Sequence, residues 1–589
     1  MRNLQERFIN GLDGLRAIAV IMVVGYHLKL PIFKGGVLGV TIFFVISGFL
    51  ITRLLLQELD SSNKIDLKNF WIKRFKRIWP ALILMIMVTI IVCAIFNRVL
   101  FTKAARDFVS SLFGFNNWYQ IFNDISYFDN GGAPSPLLHC WSLAIETQFY
   151  IIFPLIIILI NKINKDKYKE VLSVVTGVLI VISTILMALL FDPTGDPTRV
   201  YYGLDTRAFS LLIGALLAII TNFNFSLKKV INDIIGIVSL VVICIFVYKL
   251  AGYDSFLYYG GYVIVSILTA LVILSILRKN SLLSKVLSFP VLDWLGKLSY
   301  SIYLWHYPVI ILISGGIKSS WYIMLLEIVV TLVLASLSYY LVEVPIRKGI
   351  LAKTVHIFKS KRKLYKQGFI LIISSILLMI TSISCVAFVP RQAVVEKIET
   401  VKKEEKKEEP KEETQSEVDI LSNLDVLLIG DSVAEGASDT LQNTFPKATI
   451  NVRVSRHCSE SVPVLNEAKG NGWDGQALIF SLGTNGPMYD FMPEIRSMLD
   501  DSVPMFVLTI KAPYEQWTDD NNVEIKKFCE ENDNVYLIDW AGYSEGHDDW
   551  FVSDKTHLTT AGIQGFNSCL KEAVIDVFQK NKIKVTKKS

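Results

Sequence analysis

Cysteine is scarce: seven in 589 residues, with no CxxC pair and no metal-type spacing to the seven histidines. That excludes a disulfide-stapled scaffold and a zinc module, and no metal is implied. Cys93, Cys140, Cys244 and Cys385 fall in or beside apolar segments and read as small buried hydrophobes. Charge is scarce too, at 19% of residues, where soluble domains carry about a quarter. With 52% hydrophobic residues and a mean hydropathy of +0.44, the bulk of the chain cannot be disordered, coiled-coil or collagenous. A purely soluble enzyme is nearly excluded as well. No nucleic-acid motif is present. The net charge of +5 averages two opposite parts: residues 420–589 hold 15 Lys+Arg against 25 Asp+Glu, and the remainder sums to +15. Neither part calls for a nucleic acid.

What is there is a series of long apolar runs that stops near residue 389. A spanning helix needs roughly 20 mostly apolar residues. Runs near 12–30, 37–56, 80–97, 138–160, 171–191, 207–222, 232–250, 260–277, 299–315, 322–343 and 367–389 read as about 11 spans. The first holds Asp13, Arg16 and His27 and lacks a small-residue cleavage site, so it is not a cleavable signal. With the N-terminus in the cytoplasm, Lys and Arg fall consistently in the inner loops, eight of them between Arg347 and Lys366. That bias and an odd number of spans put the C-terminal part outside the cell. Between the two parts, VEKIETVKKEEKKEEPKEETQSEV has no aromatic residue and reads as a tether, 395–419. The domain expectation is therefore 1–346 membrane bundle, 347–394 basic cytoplasmic loop and extra span, 395–419 tether and 420–589 outer domain.

From Asp425 the pattern changes to short apolar runs separated by longer polar, helix-like stretches. DVLLIG (425–430), ATINVRV (448–454), ALIFSLG (477–483), MFVLTIK (505–511) and VYLIDW (535–540) predict five strands of a parallel sheet covered on both faces. Chemistry in such sheets sits beyond the carboxyl ends of the strands. Gly430-Asp431-Ser432 closes the first run, with Ser432 at the start of the next helix. Arg453 to Arg456 closes the second, and Gly483-Thr484-Asn485-Gly486 the third. Asp554-Lys555-Thr556-His557 precedes the last helical segment. A serine hydroxyl needs a base to take its proton, and the base needs an orienting carboxylate. Asp554 and His557, three apart, can supply both to Ser432. Asn485 with backbone N–H groups of Ser432 and Ser455 can supply an oxyanion hole. Singly, these are common helix caps, turn residues and solvated surface; their joint order carries the reading.

This constellation resembles the SGNH/GDSL hydrolase-like family over roughly residues 424–578. Ser432, Asn485 and His557 match the S, N and H positions, and Asp554 the third triad member. Ser455 stands where that family has glycine, which keeps the backbone donor but adds a side chain beside the hole.

Ionisable residues inside spans are costly and mark function. Asp13 and Arg16, three apart, can pair on one helical face. FWIKRFKRIWP sets Arg74 and Arg77 three apart in a loop beside a span, a phosphate clamp or plain positive-inside anchoring. His139 and Glu146 lie two turns apart on one face, suited to a base with an orienting acid or to a structural pair. Asp205 and Arg207 start a span, Tyr303 and His306 share a face, and Glu343 lies near a cytoplasmic end.

GLDGLRAIAV, YH, FFVISGFLIT, the basic FWIKRFKRIWP stretch, HCWSLAIETQFY, YSIYLWH and VEVP, in that order over most of residues 8–346, resemble the acyltransferase 3 family. Two positions depart from it. Thr41 replaces the acid of a GVD string, and Glu146-Thr147 keeps one acid of a doubled pair. The full layout is similar to the single-chain peptidoglycan O-acetyltransferases of Gram-positive bacteria. That resemblance implies acetyl-CoA as donor with no bound cofactor, and acetyl carried outward past His27, His139, Glu146, Tyr303 and His306. Asp13, Arg16, Arg74 and Arg77 would bind the acyl-CoA. A Ser432 ester would then deliver acetyl to the C6 hydroxyl of N-acetylmuramic acid in glycan strands, conferring lysozyme resistance. Its partners would be acetyl-CoA, peptidoglycan and membrane lipid. The alternatives are another surface polysaccharide, a teichoic acid or a glycolipid as acceptor, a membrane-anchored outer esterase, and a transporter with a sugar-binding outer domain.

Overall fold

The computed structural model describes residues 9–348 and 420–580, apart from positions 124, 129–132, 194–195, 222–227, 279–280, 489–490 and 553. They form two compact units.

The first unit is helical. It opens with α1 (Leu12–His27), α2 (Leu38–Ser62), α3 (Leu67–Phe96), α4 (Arg98–Phe113), α5 (Asn116–Phe122) and α6 (Cys140–Ile163). α7 (Tyr168–Leu190), α8 (Thr198–Tyr202), α9 (Leu204–Ile220), α10 (Lys229–Lys249) and α11 (Tyr262–Leu277) follow. α12 (Leu282–Leu287), α13 (Pro290–Ser314), α14 (Trp321–Ser338) and α15 (Val344–Arg347) complete it. Helices lie over each of the first ten predicted spans, and among the described residues seven are long and apolar enough to cross a membrane. α1 and α9 hold only 16 and 17 residues, and α13 carries Asp293, Lys297 and His306; these three fall short of that measure. The eleventh predicted span, the basic loop before it and the tether lie outside the described residues.

Lipid and close packing explain the helix faces. α7 buries one stripe, Leu172, Thr176, Ser183 and Met187, and turns Val174, Val178, Val181 and Ile185 outward. An apolar outer face is what a hydrocarbon solvent requires. α2 and α9 meet backbone to backbone: a Cβ on Gly48 would fall 1.8 Å from the Leu211 carbonyl oxygen. Small residues at such crossings let spanning helices approach.

One local expectation is corrected. The stretch carrying Arg74 and Arg77 is helical, because α3 runs from Leu67 straight through Pro80. A proline there removes one N–H, and the single carbonyl it frees can be satisfied locally without ending the helix. The segment between the third and fourth spans holds α4 and α5, whose buried residues include Asp107, Ser110, Ser111, Asn116, Asn117 and Gln120. Asn116 donates to Ser110 and Ser111 at 3.1 and 3.0 Å. A face this polar gives no apolar period to read.

The second unit is a doubly covered parallel sheet, as expected: β1 (Val426–Gly430), β2 (Thr449–Val452), β3 (Ala477–Ser481), β4 (Met505–Leu508) and β5 (Val535–Ile538), in the order β2-β1-β3-β4-β5. Alternate residues serve opposite layers. Val426 and Leu428 pack with Phe566, Leu570 and Val574 of the Thr560–Lys580 helix, while Leu427 and Ile429 pack with Leu465, Ile495 and Ile525. Both faces of β1, β3 and β4 are dry, so these strands read as continuous apolar runs, while the edge strands β2 and β5 are partly exposed. The strand order reverses between β1 and β3, and the crevice at that switch point is where such sheets place their chemistry.

Candidate active site

The second unit brings the three predicted triad residues together. β1 ends at Gly430, Asp431 caps the next helix by accepting the Val433 N–H at 3.0 Å, and Ser432 is its first residue. That helix is only Ser432–Gly436, so its help to a negative charge is local N–H donation rather than a long dipole. The His557 Nε2 lies 2.8 Å from Ser432 Oγ, and its Nδ1 lies 2.8 Å from Asp554 Oδ2. The other Asp554 oxygen accepts the backbone N–H groups of Thr556 and His557 at 2.9 Å each. Burial pushes the Asp554 carboxyl up, but the hydrogen bonds from His557 and the two N–H groups outweigh it and hold it below the usual carboxylate range. An ionised carboxylate fixes Nδ1–H on the imidazole and leaves Nε2 free to accept from the serine. The loop is tied by Val552 N–H to the His557 carbonyl at 2.9 Å and by the pairing of Phe551 with Leu558.

The predicted oxyanion residues sit on neighbouring strand ends. Ser455 has φ of 55°, in the left-handed region, which explains chemically why glycine suits this position. The Asn485 side-chain N–H donates to the carbonyl of Arg456, one residue past Ser455, at 3.3 Å. Asp431 is buried beneath the site, and burial raises its carboxyl above the ordinary value, with Val433 and Thr484 opposing.

In the helical unit, Arg16, Arg74, Arg77, Glu146 and Tyr303 line one cleft. Asp13 is paired with Arg16 at 3.1 Å. Glu146 accepts from Ser47 and Tyr150, neither of which the sequence marked. His139 takes different company from Glu146: its ring packs 5.6 Å from Tyr303 and 5.9 Å from His306, centroid to centroid. Tyr303 bridges the two groups, with its hydroxyl 2.6 Å from Ser142 Oγ and donating to the His139 carbonyl at 3.1 Å.

His306 and His27 form a chain whose direction follows from its anchor. His306 Nδ1 faces the Tyr303 carbonyl at 2.7 Å and must donate to it, so with neutral rings Nε2 is a lone pair. That lone pair lies 3.1 Å from His27 Nδ1, which also faces the Val23 carbonyl at 2.9 Å and therefore carries the proton. His27 Nε2 is then an acceptor, 2.9 Å from the hydroxyl of Tyr127. Two imidazoles in series can thus receive a proton from Tyr127. Tyr127 sits in a loop, and no sequence signal singled it out.

One unit thus holds a Ser–His–Asp contact chain of the kind that serves ester hydrolysis or acyl transfer, and the other a basic cleft with two hydrogen-bonded histidines. The sequence model of the acyltransferase domain family matches residues 9–342. The peptidoglycan O-acetyltransferase OatA of Listeria monocytogenes is 34% identical over 96% of this chain and 98% of its own. The O-acetyltransferase OatA of Staphylococcus aureus is 36% identical over 94% of each, and Bacillus subtilis YrhL 34% identical over 97% and 99%. The C-terminal catalytic domain of Streptococcus pneumoniae OatA matches 27% of this chain and 96% of its own at 20% identity, with a TM-score of 0.25, too low to carry weight. The chain belongs to the acyltransferase 3 family.

Proposed function

We propose that this protein O-acetylates cell-wall peptidoglycan at the C6 hydroxyl of N-acetylmuramic acid and so confers lysozyme resistance. The observation that carries the reading is the contact chain Ser432–His557–Asp554, with heavy-atom distances of 2.8 and 2.8 Å, in a chain similar over nearly its full length to named peptidoglycan O-acetyltransferases. Residues 1–346 form the membrane domain, 347–394 the basic loop and eleventh span, 395–419 the tether and 420–589 the outer domain. The N-terminus lies in the cytoplasm and the outer domain outside the cell, which the inner-loop Lys and Arg support.

The cleft lined by Arg16, Arg74 and Arg77 receives the phosphates of cytoplasmic acetyl-CoA, and three guanidinium groups around one space fit that substrate. The relay of His306 and His27, with His139 beside it, moves the proton that acyl transfer in the membrane domain displaces. In the outer domain His557 takes the Ser432 proton as Oγ attacks the acyl carbonyl, and returns it to the group that the acetyl leaves. The acetyl ester on Ser432 is then attacked by the glycan hydroxyl, whose proton passes to His557. Ser432 Oγ leaves with that proton. Backbone N–H groups of Ser432 and Ser455 and the Asn485 amide hold the oxyanion in both steps. An esterase reading shares the triad, but a simple anchor needs neither the basic cleft nor buried histidines. Ester analysis of walls from cells expressing Ser432→Ala tests the proposal. Loss of O-acetyl on muramic acid is expected, and unchanged acetylation sinks it.

A further inference from the structure

Arg456 follows the Ser455 position directly, and the mechanism above does not use it. It is 5% exposed. Among the described residues no carboxylate lies within ion-pair distance of its guanidinium; it bonds backbone and amide oxygens instead. Nη1 donates to the Gly430 carbonyl at 3.1 Å and to the Asn451 carbonyl, and Nη2 donates to Asn451 Oδ1 at 2.7 Å. Gly430 ends β1 two residues before Ser432, and Asn451 lies in β2, which leads to Ser455. One planar fork therefore joins the strand end that carries the nucleophile to the strand that carries the hole. The carbonyl of Arg456 accepts from Asn485, which comes off the end of β3. All three oxyanion donors thus connect through this residue. Ser455 needs such support, because its φ of 55° lies in the region an L-residue avoids.

We propose that Arg456 is the positioning residue of the oxyanion hole. Its fork clamps β1 to β2 and its carbonyl aims Asn485, so that three donors converge on one point while Ser455 is held in a backbone conformation it would otherwise leave. Arg456 touches no reacting atom. The inference rests on the proposed role of Ser432. Its geometry predicts that charge alone cannot replace it. A lysine keeps the cation but has no second nitrogen, so it loses the Asn451 Oδ1 bond and with it the planar fork that fixes the head between the two strand ends.

The test uses the full-length protein in detergent with 4-nitrophenyl acetate as acyl donor. Arg456→Lys is expected to lower kcat on the order of 10- to 100-fold, the scale of a misplaced or lost oxyanion donor. KM should stay within about twofold and the pH profile of kcat should not move, since His557 and Asp554 are untouched. Adding Ser455→Gly to Arg456→Lys should restore kcat by at least about threefold, because glycine holds the left-handed turn without the clamp. Asn451→Ala removes one arm of the clamp away from the hole and should lower kcat several-fold; it decides the matter should Arg456→Lys fail to fold by thermal unfolding. A kcat within about twofold of the parent in folded Arg456→Lys, or in Asn451→Ala, overturns the clamp, as does the absence of rescue by glycine. Turnover that survives Ser432→Ala would instead overturn the nucleophile assignment beneath it.

Discussion

Replacing Asp554 by asparagine separates a carboxylate's role from that of a mere hydrogen-bonding oxygen. The asparagine oxygen can still accept the Thr556 and His557 backbone N–H groups, so the loop keeps its shape. What changes is the atom facing His557 Nδ1 at 2.8 Å. An amide N–H there demands a lone pair on Nδ1, which moves the ring proton to Nε2. His557 then donates to Ser432 instead of accepting from it. The charge term follows from Coulomb's law: an imidazolium and a carboxylate about 4 Å apart attract by about 4 kcal/mol at an effective dielectric constant of about 20, and about 1 kcal/mol in bulk water. The His557 side chain is 44% exposed, so screening places the attraction between these limits, at about 2–3 kcal/mol. That is roughly 30- to 200-fold in rate. The wrong tautomer adds to it, giving a loss on the order of 10²–10⁴ in kcat. Burst and steady-state kinetics with 4-nitrophenyl acetate read this directly, with thermal unfolding as the control for fold. A folded Asp554→Asn variant with kcat within about tenfold of the parent would refute the reasoning.

Arg74→Ala with Arg77→Ala should raise the KM for acetyl-CoA by about tenfold or more while leaving turnover of 4-nitrophenyl acetate unaltered; equal loss in both assays would detach the cleft from CoA. The acid limb of stability should depend on Asp554. Its folded-state pKa is held below the ordinary value, so its contribution is full above about pH 4 and lost as pH falls through the folded value. The stability gap between the parent and Asp554→Asn should therefore shrink on acidification, as read by urea unfolding at a series of pH values. Asp431, raised by burial, works with the opposite sign: its cost at neutral pH is relieved as pH falls through its raised value, so Asp431→Asn should give a gap that moves the other way.

Sequence reveals a strand-end site well when the chain must turn sharply to make it. Gly430, Gly483 and the Asp554–His557 spacing all announce breaks between periodic segments, and Ser432, Asn485 and His557 sit at those breaks. The three central strands were equally plain, because β1, β3 and β4 are buried on both faces and cannot hide their apolar runs. Arg456 left no such trace, since its partners are backbone carbonyls brought close by strand pairing, which pattern alone does not number. Tyr127, Ser47 and Tyr150 were missed for a related reason. Ser47 meets Glu146 across helices, Tyr127 meets His27 from a loop, and Tyr150 lies one turn from Glu146 in α6; an aromatic or hydroxyl side chain in an apolar segment looks like any other. Helical periodicity put His139 and Glu146 on one face, yet His139 is the N-cap of α6 and packs on Tyr303 and His306 while Glu146 bonds Ser47 and Tyr150, because two turns of helix span about 11 Å. The extent of α3 was misjudged because proline is a poor stop signal where lipid penalises every unpaired backbone group.

The hairpin-like segment that closes on Phe551 and Leu558 holds both the imidazole and the carboxylate that orients it, 125 residues after the serine they serve. Ser432 and its strand are synthesised first; the group that makes its oxygen nucleophilic comes almost last, just ahead of the Thr560–Lys580 helix that covers one face of the sheet. On the proposed mechanism a partly emerged C-terminal domain carries an inert hydroxyl. If Ser432, His557 and Asp554 act as proposed, completion of the sheet and docking of that final helix are the arming step, and acyl chemistry begins only in a domain whose core has closed.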